Sequence, residues 1–231
     1  MARAPRRPAS TRPQSPDGAS GRERIVEAFM ALLGEQPIEQ VGFADLAARA
    51  GVSLAELRTL FGSKLAILAA YLKEIDRQVL AGIEADMTEE PPRERLFDVL
   101  MRRLDALSPH KAAVRSLIRS AGRNPGLAVA LNGFAVRSQQ WMLTAADISA
   151  AGPRGMMRAQ GLALLFASVL RTWLRDEDPG LARTMSALDR ALARGQRFSG
   201  VLDDLCRIPA CVCRVRPRRR RDRDEEDTIA A

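Results

Sequence analysis

The chain runs to 231 residues, with 36 Lys and Arg against 28 Asp and Glu and a formal net charge of +8. A single histidine, with no glycine-rich phosphate loop, no paired carboxylates and no Ser-His-Asp set, argues against an enzyme and against a bound cofactor. Ala, Leu and Arg dominate, Val and Thr are sparse and no alternating runs occur, so the sequence predicts an all-α fold of one large or two small domains.

The charge sits at the two ends. Residues 1–24 hold six Arg against two acids, a net of +4, and residues 207–231 hold eight Arg against five acids, a net of +3. The stretch between is near neutral at +1. Residues 1–18 are rich in Arg, Pro, Ser and Ala without hydrophobic periodicity, which predicts a disordered arm. The arm has no apolar core of a secretory signal, and its prolines argue against a transit peptide. Arg3, Arg6, Arg7 and Arg12 are placed either to reach nucleic-acid phosphates or to remain a solvated tail.

Arg22 to Leu33 reads as a helix with Ile25, Phe29, Leu32 and Leu33 on one face, ended by Gly34. Two short helices follow within residues 42–61. Phe43, Leu46 and Ala47 make the apolar stripe of the first; Leu57, Leu60 and Phe61 make that of the second. Between them lies the turn Ala50-Gly51-Val52-Ser53, where glycine takes a positive φ at little cost. Ser53 with Glu56 three positions on is the pattern of a capping box. Helix, glycine turn, capped helix is the helix-turn-helix unit, whose second helix lies in the DNA major groove.

A long apolar-periodic helix begins at Leu65. Helices are further expected from Pro91-Pro92 to Leu107, from His110 to Ser120, from Asn124-Pro125 onward, from Met156 to Leu174 and from Leu181 to Phe198. The apolar run Gly161–Leu170 is too short for a membrane span, which takes about 20 residues. It is either a core helix or part of an inter-subunit bundle. Phe97, Met101, Phe134, Trp141, Phe166 and Trp173 are candidates to line a cavity for a small apolar ligand, or else fill the core. Cys206, Cys211 and Cys213 fall short of the four ligands of a zinc site, and His110 is far off in sequence. No metal is expected, and the thiols read as free in a reducing cytosol. Residues 206–231, with their adjacent basic and acidic blocks, read as a charged, disordered tail.

The order helix, helix-turn-helix, then Phe61-Gly62-Ser63-Lys64 leading into a long helix resembles the tetracycline-repressor (TetR) family of bacterial one-component regulators. The resemblance covers roughly residues 20–80. It implies a DNA-binding domain at 19–80 and a helical ligand-binding and dimerisation domain at 86–205. It further implies a cytoplasmic homodimer, paired through two late helices, whose partners are a palindromic double-stranded DNA operator and a small apolar ligand that releases it. On that basis Ser53, Leu54, Ala55, Arg58 and Thr59 face the groove, with Arg58 suited to guanine, while Lys64, Arg22 and Arg24 touch phosphate. Ala50, Gly51 and Val52 form the turn. Family members usually carry an aromatic residue where Arg58 stands. Residues 19–75 hold six cations and seven anions, a net of −1, a poor electrostatic footprint for a DNA reader.

A second resemblance competes. Trp173-Leu174-Arg175-Asp176-Glu177-Asp178-Pro179-Gly180 with Leu188-Asp189-Arg190 is similar to the carboxyl end of a ubiquinone-biosynthesis accessory family. That family shares the TetR fold, binds isoprenoid lipid and does not read DNA. The weakly basic recognition helix suits it, whereas the turn and the Phe61–Lys64 junction suit the regulator.

Overall fold

Good helix formers broken by Gly, Pro and capping residues give nine α-helices and one 3₁₀ turn, with no strand among the described residues. The computed structural model describes residues 20–83 and 90–207, with side chains as far as Gly195. The helices are α1 (Gly21–Glu35), α2 (Phe43–Ala50), α3 (Leu54–Leu60), α4 (Lys64–Ala81), α5 (Pro92–Leu107), α6 (Lys111–Ala121), α7 (Pro125–Ala145), α8 (Gly152–Trp173) and α9 (Ala182–Arg207). The 3₁₀ turn Ser108–His110 joins α5 to α6. The expected all-α class therefore holds.

Local chemistry fixes most boundaries. Ser20 accepts the Glu23 amide at 3.3 Å while the Glu23 carboxylate accepts the Ser20 amide at 2.8 Å, a complete capping box at the start of α1. Asn124 caps α7 through the Leu127 amide at 3.0 Å, with Pro125 at its first position. Three expected boundaries move, one of them the end of α9, which runs on to Arg207 where Phe198 was expected. Gly34 does not end α1, which continues to Glu35 and stops at an extended Gln36 before Pro37. A Cβ on Gly34 would stand 3.5 Å from that of Ala112, so this glycine serves the close approach of α6. Helix α8 starts four residues earlier than expected, at Gly152 with φ +68°. Gly155 has room for no side chain there, because a Cβ would fall 2.1 Å from the Ala150 carbonyl carbon.

Ile25, Phe29 and Leu33 of α1, Leu46 of α2, Leu57 of α3 and Ile67 and Leu68 of α4 are buried together in the first part of the chain, here called the head. The rest, the body, encloses Leu100, Leu104, Met142, Phe166, Trp173 and Leu188. A polar cluster lies within it. Arg103 on α5, only 4% exposed, pairs with Asp76 on α4, whose same oxygen accepts the Ser138 hydroxyl of α7 at 2.6 Å. The Arg103 guanidinium also lies 5.9 Å from the Phe166 ring centroid on α8.

Helix α6 holds head and body together. Ser116 donates to the Gln36 carbonyl at 3.2 Å and Ser120 to the Glu39 carboxylate at 3.0 Å. On its other side, Arg115 donates to the Leu174 carbonyl at 2.6 Å and Lys111 to that of Asp176 at 2.7 Å, just past the end of α8. The turn resembling the accessory family has a capping role. Asp176 accepts the Thr184 amide and hydroxyl at 2.9 and 2.7 Å, and Asp178 accepts the Gly180 and Ala182 amides, so both carboxylates start α9. No helix among the described residues is long and apolar enough to cross a membrane.

Candidate nucleic-acid interface

The turn between α2 and α3 follows from its residues. Gly51 sits at φ +62°, ψ +39°, its amide donates to the Ala48 carbonyl at 3.2 Å, and that of Val52 donates to the Ala47 carbonyl at 3.0 Å. This closes α2 as a left-handed cap that favours glycine. Ser53 then accepts the Glu56 amide at 3.1 Å and opens α3. Ala50 is buried and Val52 half-buried, so the turn is anchored from beneath.

Only Leu57 of α3 is fully buried. Its opposite side carries Ala55 and Thr59, flanked by Leu54 and Arg58 on one edge and Glu56 on the other, all exposed. Ser53, Leu54, Ala55, Arg58 and Thr59, the residues expected to face the groove, are all exposed. The Thr59 hydroxyl donates to the Ala55 carbonyl at 2.8 Å, which engages its hydrogen within the helix. Arg58 makes no hydrogen bond or ion pair among the described residues, so its fork is open.

The remaining cations are placed less uniformly. Arg22 is exposed, its guanidinium 4.5 Å from the Phe61 ring centroid at the end of α3. Arg24 is half-buried and donates to the Ala50 carbonyl at 3.3 Å, which ties α1 to the end of α2. The Lys64 ammonium is half-buried and donates to the Ile38 carbonyl at 2.8 Å. Arg49 forms two 2.9 Å bonds to Glu35, and that contact holds the Glu35 carboxyl below its ordinary range.

The capping box expected at Ser53 and Glu56 forms only by half. The Ser53 hydroxyl takes the amide, but the Glu56 carboxylate does not return to Ser53 as Glu23 does to Ser20. Its Oε1 lies 2.6 Å from where a Cβ on Gly21 would stand, in the seam between α3 and α1. Sequence spacing marks the cap correctly and says nothing of which helix the carboxylate meets.

Among the cavity candidates, Phe166 and Trp173 are buried, and Phe97, Met101 and Phe134 are half-buried against the same core. Trp141 is 55% exposed on α7. An open groove on the head, between α1 and α2, is lined by other residues, among them Glu23, Arg24, Glu27 and Arg49. No group of three or more His, Cys, Asp or Glu among the described residues is placed to hold a metal. The arm, the tail and the side chains of Cys206, Cys211 and Cys213 lie outside the described residues.

These features define a helix-turn-helix protein with a helical carboxyl-terminal body. No protein-family model matches the chain. A TetR transcriptional regulator of Nitrosomonas europaea superposes with a TM-score of 0.61 at 25% identity, over 77% of this chain and 99% of that one. A TetR transcriptional regulator of Rhodococcus sp. RHA1 does so at 0.55 and 25%, over 76% and 95%. The chain shares the fold of these TetR regulators. Among curated proteins, nucleoid occlusion factor SlmA of Shewanella loihica is 32% identical over 115 residues, and that of Shewanella sediminis 30% over 115. Each alignment takes in 50% of this chain and 52% of the relative, so the chain spans about half the length of the curated relatives it matches.

Proposed function

We propose that the chain is a DNA-binding transcriptional repressor that reads a palindromic operator as a homodimer and is released by a small apolar ligand. The observation that carries the reading is the outward face of α3. Small side chains at Ala55 and Thr59 allow close approach to base edges, the unpartnered Arg58 is suited to the O6 and N7 of guanine, and buried Leu57 fixes the helix rotation. Ser53, Leu54, Arg22 and the first amides of α4, with Lys64 at their start, line the same region for phosphates.

On this reading residues 19–80 act as the reading unit and residues 86–205 as the ligand and dimer unit. Dimerisation is assigned to α8 and α9. Met157 and Leu164 of α8 and Met185 of α9 are exposed apolar side chains, and Gly161 has open space where a Cβ would stand, which suits a second helix laid against it. Two heads set about 34–36 Å apart would meet successive major grooves of a palindrome. In the body, Arg103 Nε and Gln139 Oε1 are buried without a partner among the described residues, and polar groups on an otherwise apolar ligand would satisfy them. A ligand preferring a form with wrongly spaced heads releases DNA by as much as its differential affinity.

The arm is assigned the missing charge. Because residues 19–75 are net −1, phosphate neutralisation falls to Arg3, Arg6, Arg7 and Arg12. The experiment is a salt titration of the full chain, and of a chain beginning at Ala19, against its own promoter DNA and random duplex. The full chain is expected to prefer the promoter, and the shortened one to bind more weakly with a shallower salt slope. A full chain with no preference for any upstream sequence would sink the regulator reading in favour of the lipid-binding accessory reading.

A further inference from the structure

We propose that Glu56 sets sequence choice on the reading helix, by accepting the amino group of cytosine or adenine and by penalising every base edge that offers only acceptors. The proposal rests on the DNA-reading function above and names one determinant of its specificity. Three observations lead to it. The Glu56 amide is held by Ser53, so the residue is fixed in the first turn of α3. Its side chain is exposed on the edge of the face formed by Ala55 and Thr59, opposite the edge that carries Arg58. Its carboxylate makes neither a hydrogen bond nor an ion pair among the described residues, although Ser53 stands where a full capping box would have held it.

The carboxylate instead lies in the seam with α1, near Gly21 and the Leu60 methyl, whose Cδ1 is 3.7 Å from the Cβ site of Gly21. Closing this face on a duplex strips water from an ionised group, a large cost unless donors replace it. Each base pair carries a single amino donor in the major groove, and the sequence decides which strand holds it. Cytosine offers N4–H and adenine N6–H, whereas guanine N7 and O6, thymine O4 and the phosphates present lone pairs only. A duplex with cytosine or adenine on the strand that Glu56 faces therefore satisfies it, and one with guanine or thymine on that strand leaves a charge buried against acceptors. Arg58 imposes the opposite demand on the other edge, where guanine is the match. With Thr59 holding its own hydroxyl hydrogen inward, α3 carries one donor fork and one acceptor separated by a strip of methyl groups. Discrimination then comes as much from rejection as from attraction, and Glu56 weakens binding to unrelated duplex by repelling it.

The test selects duplexes from a randomised pool with the full-length wild type, Glu56→Ala and Glu56→Gln at one salt concentration, and measures affinity for a random duplex. Thermal unfolding accompanies each variant; because Ser53 holds the backbone amide and not the carboxylate, the melting temperature is expected to stay put. Wild-type half-sites are expected to hold cytosine or adenine at one position. Glu56→Ala should lose that preference, keep the guanine opposite Arg58, and bind random duplex about tenfold more tightly, the size of one lost base discrimination. Glu56→Gln should narrow the position to adenine, which an amide pairs at N6 and N7. An unchanged preference at that position in Glu56→Ala, beside clear selection by the wild type, overturns this role and leaves the DNA reading standing. A wild type that enriches no sequence overturns both.

Discussion

His110 stands between α1 and α4, its Nε2 3.2 Å from the Glu27 carboxylate of α1 and its Nδ1 3.3 Å from the Tyr71 hydroxyl of α4. The Tyr71 ring meets the imidazole edge-on, with centroids 5.2 Å apart. A carboxylate only accepts, so the partners assign the ring hydrogen to Nε2 and leave Nδ1 to accept from the phenol. Burial pushes the Tyr71 phenol well above its ordinary range, with the Glu27 charge adding to the effect and Arg103 opposing it, so the hydroxyl stays a donor. One side chain thus joins α1, α4 and the turn before α6.

Replacing His110 by Ala should loosen that junction before it unfolds the chain. Two hydrogen bonds are lost, one to a charged group, and about 1–2 kcal/mol of stability goes with them. Hydrogen exchange should show faster opening of α1 and the amino-terminal half of α4, with the centre of α8 unchanged. Equal protection in all three helices would remove His110 from the junction.

Arg103 is expected to be among the costliest single positions in the body. Its side chain is 5% exposed and that of its partner Asp76 13%, so Arg103→Met strands a carboxylate in the interior. The loss should be about 3 kcal/mol by denaturant titration, softened by the Ser138 hydroxyl that remains on Asp76. The double variant Arg103→Met with Asp76→Asn should recover part of it, because no unpaired charge is left. A double variant as unstable as the sum of the singles would contradict the pairing.

What the sequence made legible was whatever rests on near neighbours. Gly51, Ser53 and the Asn124-Pro125 start are caps and turns whose partners lie within four or five residues, so their spacing alone locates them. The inward Leu57 and outward Arg58 follow from helical periodicity in the same way. Partners distant in the chain escape such reasoning. Lys64 reads as a free phosphate contact until the carbonyl of Ile38, 26 residues away, is found beneath it. Gly34 reads as a helix stop until α6 is laid across it, and Glu56 as a cap until Gly21 comes alongside. The exposure of Trp141 was equally hidden, since an aromatic residue on a helix carries no mark of which side the neighbours occupy.

Acid should undo the start of α9 through Asp176. Hydrogen bonds from the Thr184 side chain and then the Thr184 and Asp178 amides, with Arg183 nearby, hold its carboxyl below the ordinary range despite burial. A depressed carboxyl contributes stability that is full above its unfolded value and is lost as pH falls through the folded one. Thr184→Val removes the 2.7 Å bond from the hydroxyl and should move the acid transition to higher pH, whereas Asp176→Asn should flatten that part of the profile. Circular dichroism between pH 2 and 6 separates the three proteins. A Thr184→Val curve that coincides with the wild type would show that this bond does not set the carboxyl's affinity for protons.

Lys64 and Arg58 are expected to part company when each is changed to Ala. Arg58 is exposed and unpartnered, so its loss should leave stability within about 0.5 kcal/mol and act on DNA alone, relaxing the preference for guanine at one position per half-site. Lys64 has two duties. Its ammonium donates to the Ile38 carbonyl and so fixes the start of α4 against the loop after α1, while its two remaining N–H groups are free for phosphate. Lys64→Ala should therefore cost about 1–2 kcal/mol of stability and also weaken binding to every duplex alike, lowering the salt slope by about one. Lys64→Arg should restore the charge and the salt slope while recovering less of the stability, since a planar fork does not replace an ammonium set against a single carbonyl. Thermal unfolding and salt-dependent binding on the same three proteins decide it. If Lys64→Ala melts with the wild type and loses only DNA affinity, the carbonyl contact is incidental and Lys64 belongs with Arg58 as a residue of the DNA surface alone.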